Sequence, residues 1–398
     1  MTDVRTVDEH VELLLGLVAP LATETVGLAD AAGRALADDV VAAVALPSFD
    51  NSAMDGYAVR AADVVVVPVT LPVASDVPAA PGTPPVLLPG TVARIMTGAP
   101  MPGGADAVVP VEWTDGGTEQ VRIDEAPPLD ANVRHAGEDV RAGARVLCAG
   151  DQISPARIGL LAALGHRELR VHRRPRVGIV ATGSELIEPG RPLPHGGIYD
   201  SNGPLLAALV QRDGGEPVVR GPLVDDPAEG ARLLAEVADD VDLLVTSGGI
   251  SAGAYEVVKD VLGPTGSVEF VKVAIQPGMP QGGGTWRGTP VITTPGNPVS
   301  AFVSYELFVR PVLRALAGHG ELLRVPRHAV LAEPVRRRPD RQQYRRGTWE
   351  HDGTVRLVGN AGSHLLHALA HSDALVVIPP GAGPLPAGSL VDMLYLGD

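Results

Sequence analysis

Residues 176–300 alternate short apolar runs with amphipathic stretches, and this alternation restricts the possible folds more than any other feature of the chain. "RVGIVA" is a continuous apolar run of the kind a strand shows when both its faces are covered. "SNGPLLAALVQRDGG" reads as a helix with a glycine stop, "PVVRGPLV" as a second strand, and "DDPAEGARLLAEVADD" as a helix capped by Asp226 with Pro227 in its first turn. "VDLLVTSGG" is a third strand. "PVITTPGNPVSAFVSYELFVRPVLRALAG" adds a last strand, a turn and a long helix that Pro311 is expected to kink. Strand and helix in alternation predict βαβ units with right-handed crossovers and a mostly parallel sheet, with a ligand site at the carboxyl ends of its strands.

The flanks read differently. Val7, Val11, Leu14, Leu15 and Val18 recur at helical spacing behind Thr6, and Pro20 closes the pattern. A second short helix is expected over Leu28 to Ala37. From about Val64 to Gln120, Val-rich runs cut by Pro and Gly predict a small β module, and helix returns at "SPARIGLLAALG". The β module thus reads as an insertion between two helical pieces of one N-terminal region. From about Leu323 the chain is strand-like and turn-rich, as in a small β barrel or sandwich. The predicted fold class is multidomain α/β, with domains at 1–50 plus 136–174, 51–135, 175–322 and 323–398. A length of 398 residues suits two to four domains.

A formal charge of −15 argues against nucleic acid as a partner, because a duplex binder needs clustered cations to displace counterions. No segment reaches the roughly 18 uninterrupted apolar residues of a membrane span. The N-terminus is acidic where a signal peptide is basic, so a cytoplasmic location is expected. The single cysteine, Cys148, excludes an intrachain disulfide framework and any Cys-based metal site, and is expected to be a buried thiol. His364, His367 and His371 recur at helical spacing and read as one partly buried face rather than a ligand set.

Polar residues gather where the α/β strands end. Thr182, Gly183, Ser184 and Glu185 follow the first strand; the glycine and hydroxyls let backbone N–H groups approach a phosphate, and the acid can hold a divalent cation. Asp225 is the surplus carboxylate after the second strand. Ser247, Gly248, Gly249 and Ser251 form a loop after the third, and Glu256 and Lys259 open the next helix. A carboxylate cluster at that edge points to Mg2+ bound through oxygens, with phosphate as a further ligand. The chain carries no G-x-x-x-x-G-K-[ST], G-x-G-x-x-G or H-E-x-x-H motif. Upstream, "SFDNSAMDGYAVR" places Asp50 and Asp55 on either side of an uncharged stretch.

"FDNSAMDGYA", "RIMTGAP", "AGEDV", "TGSEL", "YDSNGPLL", "VDDP", "SGGIS" and "TPGNPVSA" occur in this order along the chain, and together they resemble the MoeA family of molybdopterin molybdenumtransferases; the E domain of gephyrin is similar. The resemblance implies an elongated homodimer with a MogA-like central α/β domain, and a loop containing Asp55 that faces the α/β domain of the other subunit. It implies the insertion of molybdate-derived molybdenum into adenylylated molybdopterin, with Mg2+-dependent hydrolysis of the phosphoanhydride and release of AMP. By matching position it marks Asp55, Thr97, Asp139, Glu185, Asp225 and Lys272 as catalytic. Thr182, Gly183, Ser184, Ser247, Gly248, Gly249, Ser251, Lys259, Pro295, Asn297, Arg346 and Ser363 are marked as cofactor-binding, and Glu185 with Glu256 as the Mg2+ site. Asp50 is expected to order its loop through backbone hydrogen bonds.

The chain departs from the family at "KVAIQPGMP", where Gln276 and Met279 stand in place of two lysines associated with oxyanion binding; by resemblance Arg346 in "YRRGTW" and Ser363 in "AGSHLL" are the candidates to compensate, with Arg345 or His364 as further ones. That departure leaves tungstate insertion as an alternative. A non-catalytic scaffold and the preceding adenylyltransferase step are further alternatives; the latter lacks support because "SGGIS" replaces a Gly-Gly-Thr-Gly loop. Upstream adenylyltransferase and downstream molybdoenzymes are the partners the resemblance implies.

Overall fold

The computed structural model describes residues 4–223, 226–250 and 256–397. The chain forms two compact units. The first comprises Met1–Asp38, Ala149–Ser154 and Glu168–Asp398, and the second Asp39–Cys148 and Pro155–Arg167.

The first unit is organised by a seven-stranded sheet of β1 (Val4–Arg5), β2 (Arg176–Thr182), β3 (Glu216–Leu223), β4 (Leu243–Ser247), β5 (Val268–Val273), β6 (Pro280–Trp286) and β7 (Thr289–Thr294), in the spatial order β1-β5-β6-β7-β4-β2-β3. Parallel pairs join β7 to β4, β4 to β2 and β2 to β3, as the strand–helix alternation predicts, and a further parallel pair joins β1 to β5. β6 is antiparallel to both of its neighbours. Two antiparallel steps return β5 to the direction of β7, so the carboxyl ends of β2, β3, β4, β5 and β7 share one edge.

The apolar run of β2 is explained by burial on both faces. Val177 and Ile179 join one core with residues of α1 (Val7–Leu15), α2 (Asn202–Arg212), α5 (Pro298–Ser304) and α6 (Arg310–Leu316). Val180 joins a second core with α3 (Pro227–Ala238) and α4 (Val257–Leu262). Asp226 caps α3, its Oδ1 accepting from the N–H groups of Ala228 at 2.8 Å and Glu229 at 3.1 Å. Thr6 and Glu9 cap α1 reciprocally. The helix expected over Leu28 to Ala37 is not formed; a 3-10 turn covers Leu28–Asp30 only. Gly33 then takes a positive φ of 76°, and Ala35 and Leu36 continue as extended backbone bridged to Gln152 and Val171.

The kink expected at Pro311 takes the form of a π-helical turn, Tyr305–Val309, between α5 and α6. Proline lacks an N–H and crowds the carbonyl one turn earlier; here the register widens ahead of it, and the Arg310 N–H donates to the Tyr305 carbonyl.

α1 also buries His10, which is 0% exposed and packs edge-on against Phe308 with ring centroids 4.8 Å apart. Neither ring nitrogen has a partner among the described residues. Burial, reinforced by the Arg5 charge, pushes its pKa down to about 4. Burial likewise pushes His319 down to about 3. Between these values and the ordinary 6.5 the unfolded chain binds protons that the folded chain does not, so stability rises with pH across that window. Lowering the pH from 7 to 4.5 is expected to lose about 2 to 3 kcal/mol through His10 alone. His10→Leu should flatten, without abolishing, the pH dependence of the urea midpoint; an unchanged slope would show that His10 is not buried neutral.

The C-terminal strands close a small barrel. β8 (Arg327–Leu331), β9 (Gln342–Trp349), β10 (Thr354–Leu357), β11 (Ala374–Ile378) and β12 (Leu390–Tyr395) pair in the cycle β9-β10-β8-β12-β11-β9, with only β8 and β10 parallel. Leu331, Val355, Val376, Ile378, Val391 and Met393 fill it. The histidine-bearing helix is short, α7 (Leu366–Ala370). It buries Leu369 and leaves His364, His367 and His371 exposed, contrary to the partly buried face expected from their spacing.

The second unit contains a five-stranded sheet in the order Ala107–Pro110, Gly56–Val59, Val92–Ile95, Val69–Val77 and Gln120–Ile123. Tyr57, Val59, Val92 and Val109 lie in the core on one side of the sheet. Helix Pro155–Ala163 belongs to this unit as well. Cys148 is exposed rather than buried, at the turn that follows strand Arg145–Leu147. No helix among the described residues is long and apolar enough to cross a membrane.

Candidate functional site

The carboxyl edge of the first unit's sheet brings three of the expected loops together. Thr182, at the end of β2, is buried and donates through Oγ1 to the Ser247 carbonyl at 3.4 Å. Gly248 and Gly249 follow β4 with φ of 93° and 68°. A Cβ on Gly248 would lie 2.8 Å from the Thr182 carbonyl oxygen, so only glycine allows the two loops this close an approach. The Gly249 carbonyl accepts from the Lys259 N–H at 3.1 Å, which sets the first turn of α4 beside the loop, with Glu256 at the helix's N-cap position. Lys259 is exposed, as are Ser184 and Glu185 on the turn after β2.

Asn202 is the hub of this edge and was not among the expected site residues. Its Nδ2 donates to Ser247 Oγ at 2.8 Å and to the Gly296 carbonyl at 2.6 Å, joining the start of α2 to the ends of β4 and β7. Ser247 Oγ donates in turn to the Pro295 carbonyl at 3.3 Å. Asp200 Oδ1 accepts from the N–H groups of Asn202 and Gly203, both at 3.0 Å, and so caps the start of α2 in place of Ser201, whose side chain makes no cap bond. The signal in the sequence was "DSNG" immediately before an apolar helical stretch. Asn202 Oδ1 is buried without a hydrogen bond among the described residues. Asn297 is exposed at the N-cap of α5 and makes no side-chain cap bond. Asp225 and Ser251 lie outside the described residues.

Lys272 is exposed one residue before the end of β5, at the same edge. The following loop is closed by the Val273 N–H donating to the Met279 carbonyl at 2.8 Å. Gln276 Oε1 accepts from Gln343 Nε2 at 3.3 Å, and Ile275–Gln276 pairs in parallel with β9. The cation beside Met279 is neither Arg345 nor His364: Arg341 Nη1 lies 4.0 Å from the Met279 sulfur, its charge shared with Asp340 through a 3.0 Å bond from Nε. Arg345 donates instead to the Gly359 carbonyl at 3.1 Å. Arg346 is only 3% exposed and donates to the carbonyls of Gly362 and Asn360. It therefore shapes the loop that carries Ser363, whose carbonyl accepts from the Val299 N–H at 3.0 Å.

In the second unit Asp55 and Thr97 meet. Asp55 Oδ1 accepts from the Thr97 N–H at 2.7 Å and from Thr97 Oγ1 at 2.9 Å. These bonds to the carboxylate hold its pKa below the usual range. Both residues are exposed. Gly56 fixes the approach, because a Cβ there would sit 2.0 Å from the Val109 carbonyl oxygen. Asp50 does bind backbone, as expected, but across the fold: its Oδ1 accepts from the Ala136 N–H at 2.7 Å. Asp139 is exposed, and its N–H donates to the Leu46 carbonyl at 3.0 Å. No group of three or more His, Cys, Asp or Glu side chains among the described residues is arranged to hold a metal ion.

Comparison with known families accounts for nearly the whole chain. Residues 5–165 match the MoeA N-terminal region (domain I and II), residues 178–315 a probable molybdopterin binding domain, and residues 328–396 the MoeA C-terminal region (domain IV). The chain belongs to the MoeA family. It is 48% identical over 396 residues to molybdopterin molybdenumtransferase 2 of Mycobacterium tuberculosis, covering 97% of this chain and 98% of that one. With molybdopterin molybdenumtransferase of Haemophilus influenzae it shares 36% identity over 388 residues, covering 96% and 95%. Among solved structures, the molybdopterin biosynthesis moeA protein from Pyrococcus horikoshii OT3 superimposes with a TM-score of 0.86 at 30% identity, covering 99% of this chain and 100% of that one. The expected multidomain architecture, with a central α/β domain and a small C-terminal barrel, is that of this MoeA family.

Proposed function

We propose that this protein is a molybdopterin molybdenumtransferase acting in molybdenum cofactor biosynthesis, on adenylylated molybdopterin and molybdate, with Mg2+-dependent release of AMP. The observation that carries this reading is the convergence of Thr182, Ser247, Gly248, Gly249 and Pro295 at one sheet edge, organised by Asn202 and flanked by Glu185 and Glu256. Glycine-opened backbone and small hydroxyls suit a phosphate approached from the strand ends. Glu185 and Glu256 offer carboxylate oxygens of the kind a hard divalent cation takes, and Mg2+ held by them would supply charge neutralisation at the phosphoanhydride. Cleavage at phosphorus is chiefly a matter of positioning and electrostatics, so the chain needs donors in place more than a covalent nucleophile. Lys272 provides a cation at the same edge for the oxyanion, and Arg341 supplies one beside Met279.

The test is AMP release from purified protein with adenylylated molybdopterin and Mg2+, titrated with molybdate and, in parallel, with tungstate. Release that depends on low molybdate is expected. Release that saturates only with tungstate would favour the second reading, which rests on Gln276 and Met279, and no release with either would leave a binding or scaffold role. The enzyme is proposed to act as a homodimer, for which light scattering should give twice the chain mass of 41.1 kDa.

A further inference from the structure

A cavity of about 310 Å³, separate from the strand-end site, opens between α6 and the C-terminal barrel. Arg310 and Arg314 reach it from α6, Arg324 from the segment that follows, and Arg327 from β8; Glu321 is the one carboxylate on its lining. Behind it, Asp213 and Glu306 serve Arg310, Arg324 and a further arginine, Arg212. Among the described residues, five guanidiniums thus meet three carboxylates, leaving two positive charges in excess.

The guanidiniums are not saturated by the protein. Among the described residues Arg310 makes one hydrogen bond, from Nη1 to the Leu322 carbonyl at 3.2 Å; its buried Nε makes none and meets Asp213 Oδ1 only as an ion pair at 3.4 Å. Arg324 spends Nε on Glu306 at 2.7 Å and Nη1 on the Tyr395 carbonyl at 3.0 Å, which leaves Nη2 without an acceptor among the described residues. Arg314 spends Nε on the Glu321 carbonyl at 2.6 Å, while its Nη1 and Nη2 reach Gln152 Oε1 only at 3.5 Å and 3.4 Å. Arg327 makes no side-chain hydrogen bond among the described residues and lies over the Tyr395 ring at 4.6 Å. Burial holds Arg310 and Arg314 below the usual arginine range, so each is a cation kept at a cost that a bound anion would offset.

We infer that this cavity binds a phosphate-class dianion, either inorganic phosphate or the head of a phosphomonoester. Guanidiniums that converge from α6, the segment after it and β8 suit an anion with oxygens facing several directions, and planar forks pair with phosphate in bidentate fashion. The volume exceeds the roughly 30 Å³ share of a water many times over. Leu323, Val325 and the Tyr395 ring leave an apolar wall for an attached group.

Equilibrium dialysis of the full chain against radiolabelled phosphate, with competition by unlabelled phosphate and phenyl phosphate, tests this. Saturable binding is expected, weakened about tenfold or more by Arg327→Glu, since a charge-assisted hydrogen bond is lost and a repulsion introduced. Arg310→Gln should weaken it comparably. Should Arg310→Gln fail to fold by circular dichroism, the exposed Arg327→Glu decides alone. Phenyl phosphate competing more strongly than phosphate identifies a phosphomonoester as the ligand; equal or weaker competition identifies free phosphate. Absence of saturable binding, or binding unchanged in Arg327→Glu, overturns the inference, since phosphate would then be held nowhere or at the strand-end site.

Discussion

Glu185→Gln is expected to lower AMP release by about a hundredfold to a thousandfold, the effect of removing one charged group from a site that works by charge neutralisation. The substitution keeps size and shape and removes the charge. Glu185 is exposed, and the hydrogen bond it gives the fold comes from its backbone, whose carbonyl accepts from the Ile198 N–H at 2.9 Å. The turn after β2 should therefore keep its shape, and the thermal midpoint should stay within about 1 °C to 2 °C of the parent, as for most surface changes. Raising Mg2+ should recover part of the lost rate, because the amide oxygen is a weaker ligand than a carboxylate rather than none at all. Glu188→Gln is the matched control: it lies three residues on, exposed, and pairs with Arg191 at 2.7 Å. Its AMP release should be unchanged. Equal release from both variants would remove Glu185 from the reaction.

What the sequence made legible depended on how local the determining interaction is. The helix start behind Thr6 and the cap at Asp226 depend on partners two or three residues away, so they could be read directly. The apolar run of β2 announced burial on both faces, and its alternation with helices a sheet edge where ligand-binding loops collect. Asn202 escaped because its partners, Ser247 and Gly296, lie 45 and 94 residues away. Its role follows from strand order, which no local pattern encodes. Leu28 to Ala37 failed for a related reason. Its Ala and Leu favour helix, but Gly33 turns left-handed, and the Leu36 and Ala37 N–H groups find carbonyls at Asp151 and Arg170. The lost lysines at Gln276 and Met279 were visible, but the arginine beside Met279 was not, since Arg341 reaches it from a segment 62 residues later.

The largest effect on stability should come from Glu306, which lies on the π-helical turn with a side chain 0% exposed. Its Oε1 accepts from Arg212 at 2.8 Å and its Oε2 from Arg324 at 2.7 Å. Burial works against the Arg212 cation, yet hydrogen bonds and charge from Asp213 and Glu306 more than offset it and hold its pKa above the usual range. Glu306→Gln would present an N–H group to one of two guanidiniums and leave three buried or half-buried arginines, Arg212, Arg310 and Arg324, around Asp213 alone. Breaking a buried pair costs about 3 to 5 kcal/mol, because the remaining charge stays uncompensated. Asp240→Asn makes the contrast: its pair with Arg176 has the same 2.8 Å separation but is 42% and 50% exposed, so water screens it and the expected cost is below about 1 kcal/mol. Urea unfolding of the two variants should differ accordingly. Similar midpoints would mean that Arg212 and Arg324 find other partners when Glu306 is neutralised, and that the π turn is maintained by the proline-driven change of register rather than by the charge it buries.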